Sequence, residues 1–451
     1  MPSLTKPPHV DPVDRFVSRF ADFEERVSRN GSAWVSPIRG KALSRFREIR
    51  FPTRHVEAWK HTDVRPVVET EFEPAPQTGR TVELEAFRDE SAFGEWDADR
   101  LVFIDGIFSE SLSQIGESPA GVRVMSLAEA LKTEREFVEP HLGNYADYTA
   151  QPFVALNTAF LEDGAFVYIP DGVVHPRPIR IVFVATESDT PRVAYPRNLI
   201  LTGKESRTEI VESYEDLGNG TCLTNAVTEL SVGKNARVVY YRMQQENNRA
   251  FHLASVNVRQ ETGSDFSSQV ISTGSAINRN DITCVLDGEG ISSTVNGLFL
   301  TSGRRHIDNH TILDHRAPGC RSHETFKGIL DGESSGAFTG KIIVRPDAQK
   351  TDAVQSSKNL LLSDSATVYP DPQLEIYADD VKCTHGATVG QLDPEAVFYI
   401  KSRGIDEASA RGLLTYAFAN EIIEKIDIKP LREHLERFIS ARFWNGAVLE
   451  R

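Results

Sequence analysis

The chain reads as mainly β, a parallel β-helix core flanked by α-helical segments at both ends, and three observations carry that reading. Between residues 164 and 392, strands of five to seven residues follow one another, separated by Gly, Asp and Asn with almost no helical periodicity. TGKESRTEIV, VGKNARVVYY and TGSDFSSQVI place Gly203, Gly233 and Gly263 thirty residues apart, each opening an alternating strand. LDGE recurs at Leu286 and Leu330, followed in each case by an apolar triplet, Leu298 to Leu300 and Ile342 to Val344. Recurrence at 20 to 50 residues marks stacked coils. A Greek-key sandwich competes, but it calls for no equal glycine spacing, and so long a β region exceeds one ordinary sandwich.

In chain order, residues 1–163 form a helical and mixed region. Asp11 and Pro12 signal a helix start, and Val13, Phe16, Val17, Phe20, Phe23 and Val27 recur at helical spacing. A second helix is expected from Arg39 to Ile49. FPTRHVEAWKHTDVRP, from Phe51 to Pro66, has two prolines and mixed charges that suit a docking loop, with Trp59 as its packing anchor. From Thr81 to Phe108 short apolar runs alternate with turn residues, and a helix near Phe153 to Phe160 leads into the β core at 164–392. Residues 393–451 return to helix. Asp393 caps, Pro394 sits in the first turn, and Gly404 stops that helix. Asp406 caps a longer one with a wide stripe that includes Leu414, Phe418 and Ile422, and Pro430 opens the last. Two roles stand open for these helices, capping the solenoid or docking a partner.

Composition bounds the function. The 451 residues are 40% hydrophobic, enough for a large core. A formal net charge of −15 argues against nucleic acid or anionic membrane as the partner. No apolar run approaches a membrane span, and MPSLTKPPHVDPVDRF lacks the apolar region of a signal peptide, so a cytoplasmic protein is expected. The four cysteines, Cys222, Cys284, Cys320 and Cys383, include no CxxC pair and suggest reduced thiols. GxxxxGK[ST], GxSxG and HExxH are missing, as is a GxGxxG placed between strand and helix.

The stretch LEIYADDVKCTHGATVGQLD closes the β region. As a strand it puts Val381, Cys383, His385, Ala387 and Val389 on one face and Lys382, Thr384 and Thr388 on the other. The Cα atoms of Cys383 and His385 then stand about 7 Å apart, within reach of one metal or cluster. Two ligands do not complete a zinc or iron-sulfur site. The pair is therefore either packed core or half of a shared site. HIDNHTILDHRAPGCRSHE gathers His306, His310, His315, Cys320 and His323, but no standard zinc spacing fits, and hydrogen bonding along the solenoid accounts for them as well.

Along nearly its whole length the chain resembles the SufB/SufD family of iron-sulfur cluster assembly proteins. The matching blocks are FPTRHVEAWKHTDV, YIPDGVV, HRAPGCRSHETFKGILDGESSGAFTGKIIVRPDAQKTDA, LEIYADDVKCTHGATVGQLD and FYIKSRGI. The resemblance implies a right-handed parallel β-helix between helical domains. It implies a non-catalytic scaffold subunit in which a SufD-type chain pairs with SufB, each binding a SufC ATPase through its C-terminal helices. It further implies a transient cluster formed between the two chains, with His385 taking part and Cys383 beside it; because two ligands on one strand leave iron under-coordinated, the isolated chain is expected to hold no stable cluster. A homodimer is the open alternative for the chain alone. Ile400 stands where SufB carries its assembly cysteine, which places the resemblance in the SufD branch. The competing function class is a β-helical carbohydrate- or acyl-active enzyme, which would turn over substrate without partners.

Overall fold

The computed structural model describes residues 11–29, 32–74 and 96–444. Two parallel sheets, one of eleven and one of ten strands among the described residues, run the length of the core. Consecutive strands alternate between them. Arg197–Thr202 lies in the larger sheet, Arg207–Asp216 in the smaller, Cys222–Val232 in the larger, and so on to Lys382–Gly390. This is a solenoid of stacked coils. A sandwich of antiparallel Greek keys is excluded by the in-register parallel ladders, such as Arg207, Arg237 and Asp265 side by side. Most core strands are longer than the five to seven residues expected, commonly ten, as in His306–His315 and Arg321–Leu330. Gly and Asn inside them do not break pairing because their neighbours in adjacent coils keep the ladder intact.

The repeat has a physical cause that differs in phase from the glycine spacing. Each coil needs one residue in the left-handed region at the same corner, and Glu205, Asn235, Gly263, Gly290, Gly319 and Lys350 fill it with φ between +56° and +71°. Gly263 therefore aligns with Asn235, not with Gly233. Gly203 and Gly233 do pair with each other. A Cβ on Gly233 would stand 2.7 Å from the Gly203 carbonyl carbon, so two coil corners stack backbone on backbone there. The two LDGE copies end strands in opposite sheets, Ile277–Leu286 and Arg321–Leu330, so they stand one and a half coils apart and do not mark one full coil.

Alternation sorts side chains between the lumen and the flanks. The lumen holds the main apolar cluster, including Val238, Phe266, Val295, Phe326 and Phe338. One flank is covered by N-terminal helices. Pro12–Val17, Phe20–Ser28, Ser36–Ile49 and Pro152–Ala159 pack with Leu223, Phe251, Leu253 and Ile277 of the larger sheet. Asp11 caps the first of these, accepting from the Val13 amide at 2.9 Å. Both sheets start before residue 164: Asp99–Ile104 pairs in parallel with Ile179–Ala185, and Arg123–Ser126 pairs antiparallel with Ala165–Ile169. Asp105 and Gly106, both at positive φ, turn the first of these strands back into Ile107–Phe108. The part of the Thr81 to Phe108 reading before residue 96 lies outside the described residues.

The opposite flank is covered by Glu407–Ile423 and Lys429–Trp444. Ala419, Ile422, Ile423, Leu431, Leu435 and Ile439 pack on Val239, Tyr241, Ile271, Leu298 and Ile329, the outward side chains of the smaller sheet. These helices therefore lie along the side of the solenoid and do not cap its end. Lys327 fastens them: its ammonium donates to the Phe418 carbonyl at 2.9 Å, pairs with Glu421 at 2.5 Å and lies 4.3 Å from the Phe418 ring centroid. The caps of Asp393 and Asp406 are as expected, accepting from the amides of Glu395 and Ser409, each at 2.9 Å.

A candidate site at the open end of the solenoid

The last strand of each sheet, Thr367–Ile376 and Lys382–Gly390, has a neighbour on one side only. Cys383, His385, Ala387 and Val389 stand in register with Ala353, Gln355, Ser357 and Asn359 of the preceding coil, all four of which are buried. The same face that packs the lumen elsewhere is thus left bare here. His385, Ala387 and Val389 are exposed, and Cys383 is half-buried at the margin of the main core. Packed core filler does not describe His385 in this fold. Lys382, Thr384 and Thr388 take the other face, as alternation requires.

The two side chains differ chemically. Burial, and secondarily the Asp352 carboxylate, push the Cys383 thiol above its ordinary value, so it is protonated at neutral pH and is a poor ligand until a metal displaces the proton. Among the described residues no group of three or more His, Cys, Asp and Glu is placed to hold a metal ion. The chain therefore offers a thiol, an imidazole and an open strand edge, and anything bound there needs further donors from outside. Ile376, Tyr377 and Val389 are exposed apolar side chains of this last coil, and Phe398 and Tyr399 are exposed on the helix Pro394–Lys401 that follows it, Phe398 at 73%.

The docking loop is a part of this end that spacing could not place. Trp59 is buried, with the Arg279 guanidinium carbon 3.9 Å from its ring centroid. Arg279 donates to Asp281, to Asp308 and to the Ala58 carbonyl, each at 2.7 Å, and Thr62 donates to Asp308 at 2.6 Å. Burial raises the Asp308 carboxyl, but Arg279 and His306 outweigh it and hold the group below its ordinary value. The loop then reaches the final coil, where Lys60 pairs with Asp371 at 2.9 Å and the His61 ring stacks on Tyr369 at 4.4 Å. The signals in the sequence were its two prolines, its mixed charges and Trp59.

The histidine-rich segment does not form a centre. His315 points into the lumen and bonds the Ser322 hydroxyl at 2.8 Å, and Cys320 is buried. His306 lies outward between Thr62 at 3.0 Å and Ser335 at 2.8 Å. His323 is exposed on the other sheet. The apolar stripe on Glu407–Ile423 divides too: Ile422 is fully buried against the solenoid, whereas Leu414 and Phe418 are half-buried. Cys222, Cys284, Cys320 and Cys383 are all free thiols.

Residues 183–418 match the family described as the SufBD core domain of SUF system FeS cluster assembly, and residues 11–181 match the SufBD protein N-terminal region. The chain belongs to the SufBD family. A SufBD family iron-sulfur cluster assembly protein of Synechocystis is 29% identical over 98% of both chains. The iron-sulfur cluster assembly protein SufD of Escherichia coli is 27% identical over 91% of this chain and 94% of its own. The chloroplast protein ABCI7 of Arabidopsis thaliana is 29% identical over 94% of this chain and 90% of its own. A role in SUF iron-sulfur cluster assembly follows for this SufBD chain, and its solenoid is the framework on which that role is built. No helix among the described residues is long and apolar enough to cross a membrane.

Proposed function

We propose that this chain is a SufD-like, non-catalytic scaffold subunit of a cytoplasmic SUF assembly, pairing with a SufB-type chain across the open coil and with a SufC-type ATPase through its C-terminal helices. The observation that carries this reading is a lumen face, Cys383 to Val389, left uncovered on an unpaired strand edge at the end of an otherwise closed solenoid. An exposed edge with apolar surroundings favours strand addition or face-to-face closure by another chain. The cluster is cargo, held transiently between chains. His385 supplies a neutral nitrogen donor, which binds iron less tightly than a thiolate and suits a cluster that must leave. Cys383 supports it from the margin of the core.

Ile400 stands in a half-buried position of the helix Pro394–Lys401 and brings no thiol there, in keeping with a partner that contributes one. ATP hydrolysis belongs to the SufC-type partner. Alone, the chain holds no stable cluster, and its open edge permits pairing with a second copy. The test is complementation of an assembly-deficient strain, alongside visible absorption of the purified complex. His385→Ala is expected to keep the fold and all partners and to lose cluster maturation, with Cys383→Ser milder. Full complementation by His385→Ala with normal absorption overturns the assignment.

A further inference from the structure

Behind His385 lies a polar column inside the solenoid that the cluster-assembly role does not account for. Gln355 is the register neighbour of His385 in the preceding coil, and Glu324 is the neighbour of Gln355 one coil deeper. All three face the lumen, and adjacent strands stand about 4.8 Å apart. Glu324 and Gln355 are each 1% exposed. The Gln355 amide nitrogen donates to one Glu324 oxygen at 2.6 Å, while the Gln355 carbonyl oxygen is buried with no partner. The slot is cut to fit the amide. Gly340 faces it across the lumen, and a Cβ there would meet the Gln355 nitrogen at 2.2 Å. A neighbouring inward amide shows that such side chains reach the last strand, since Asn359 donates to the Thr388 carbonyl at 3.2 Å.

We infer that Gln355 is a positioning residue for His385: its carbonyl accepts one ring N–H, Glu324 holds the amide in that orientation, and the lone pair of the other ring nitrogen is turned out of the open coil. The inference rests on the reading of His385 as a functional ligand, but its geometry is independent of any bound cluster. A ring nitrogen that ligates a metal is commonly fixed by a hydrogen bond on the opposite nitrogen, which selects the tautomer. A buried amide oxygen left without a partner is costly, and this contact satisfies it. Glu324 fits the part because no cation among the described residues pairs with it, so none competes with the Gln355 amide for the oxygen that accepts from it.

The test uses the full-length chain with nitrogen-15-labelled histidine, reading the two-bond proton–nitrogen couplings of the signal that disappears in His385→Ala. The wild type is expected to show one neutral tautomer. Gln355→Met, similar in shape and without an acceptor of that strength, should give a mixture. Glu324→Gln keeps an oxygen for the Gln355 amide and should preserve the single tautomer, whereas Glu324→Leu should lose it. If Gln355→Met does not fold, the Glu324 pair decides. A tautomer mixture in the wild type, or one unmoved by Gln355→Met and Glu324→Leu, overturns the inference. Complementation by His385→Ala is a separate readout, so failure of the ligand role and failure of the positioning role are told apart.

Discussion

The two ends of the solenoid are made of the same kind of strand and end in opposite conditions. Asp99–Ile104, at the first coil, is buried along nearly its whole length, with Leu101, Val102 and Phe103 at 1% exposure or less. Lys382–Gly390, at the last, is exposed at every position but Cys383. The flanks follow the first end: helices and the docking loop cover one sheet, and the C-terminal helices cover the other. A solenoid that covers both its sides yet leaves one lumen face open forgoes about 25 cal/mol for each Å² of apolar surface that a cap would bury. On the function proposed above, that omission leaves the open end to the SufB-type chain and the cargo. The comparison can be broken by variants, since changes at the flanks should act on stability and changes at the open end on partners and cargo.

The largest stability effect is expected at the docking loop. Arg279→Ala removes the cation between Asp281 and Asp308 and the group stacked on Trp59, leaving Asp308 buried without its main partner. Breaking one side of such a buried pair costs about 3–5 kcal/mol. Urea unfolding followed by circular dichroism should show this as a fall in midpoint, and a loss under about 1 kcal/mol would mean that the loop is not a structural clamp. Gly233→Ala should come next, at about 1–3 kcal/mol, because the added methyl meets the Thr202 carbonyl oxygen at 2.6 Å and the Gly203 backbone, and two coil corners must part. The same unfolding experiment reads it, and Gly172→Ala, with open space around it but φ of +71°, serves as the control for backbone strain alone.

Much of this architecture was legible because a solenoid repeats its physics. Each coil must turn at the same corners and refill the same lumen, so glycine and apolar spacing exposed the β-helix, and Asp393, Asp406 and the prolines exposed the helix starts. What escaped is what one-dimensional spacing does not encode. Equal intervals of thirty residues hid a change of phase at Gly263, since Asn235 can take the left-handed position as glycine does. Ile422 and Leu414 share a stripe, but only the fold decides which of them meets the sheet. For His385, alternation gave the face correctly, and the family resemblance gave it a role. That the face is uncovered depends on there being no further coil after Gly390, which spacing within the strand cannot show. Glu324 and Gln355 were missed because they come together only through register, thirty-one residues apart in sequence.

Glu324 also gives the lumen a pH signature. Burial pushes its carboxyl up from 4.5 to about 7. Cys284, across the lumen, is the titratable group that feels its charge, and its own thiol is pushed up to about 12, chiefly by burial. A raised carboxyl binds its proton more tightly in the folded state than in the unfolded one. Stability is therefore fullest below the unfolded value, near 4.5, and is lost as pH rises from there through about 7. Glu324→Gln removes that dependence. Relative to the wild type it should gain about 2 kcal/mol at pH 8 and little at pH 5. Denaturation midpoints at the two pH values check it, and an equal gain at both would remove proton linkage as the cause.

The smallest stability effect is expected where the proposed partner effect is large. Phe398 is 73% exposed on the helix Pro394–Lys401, whose one buried side chain is Val397. Phe398→Asp adds a charge to a surface already in water, so the isolated chain should stay within about 0.5 kcal/mol of the wild type with an unchanged circular dichroism spectrum. An exposed aromatic of this size beside Tyr399 is an anchor of the kind that dominates binding energy once a partner buries it. In the complex, the same substitution should abolish co-purification of the SufC-type ATPase while leaving the SufB-type chain bound through the open coil. Loss of both partners together would merge the two surfaces into one. Retention of both would move ATPase binding off this helix and onto the half-buried Leu414 and Phe418, where Phe418 already carries the Lys327 contact and a substitution would strip the flank as well.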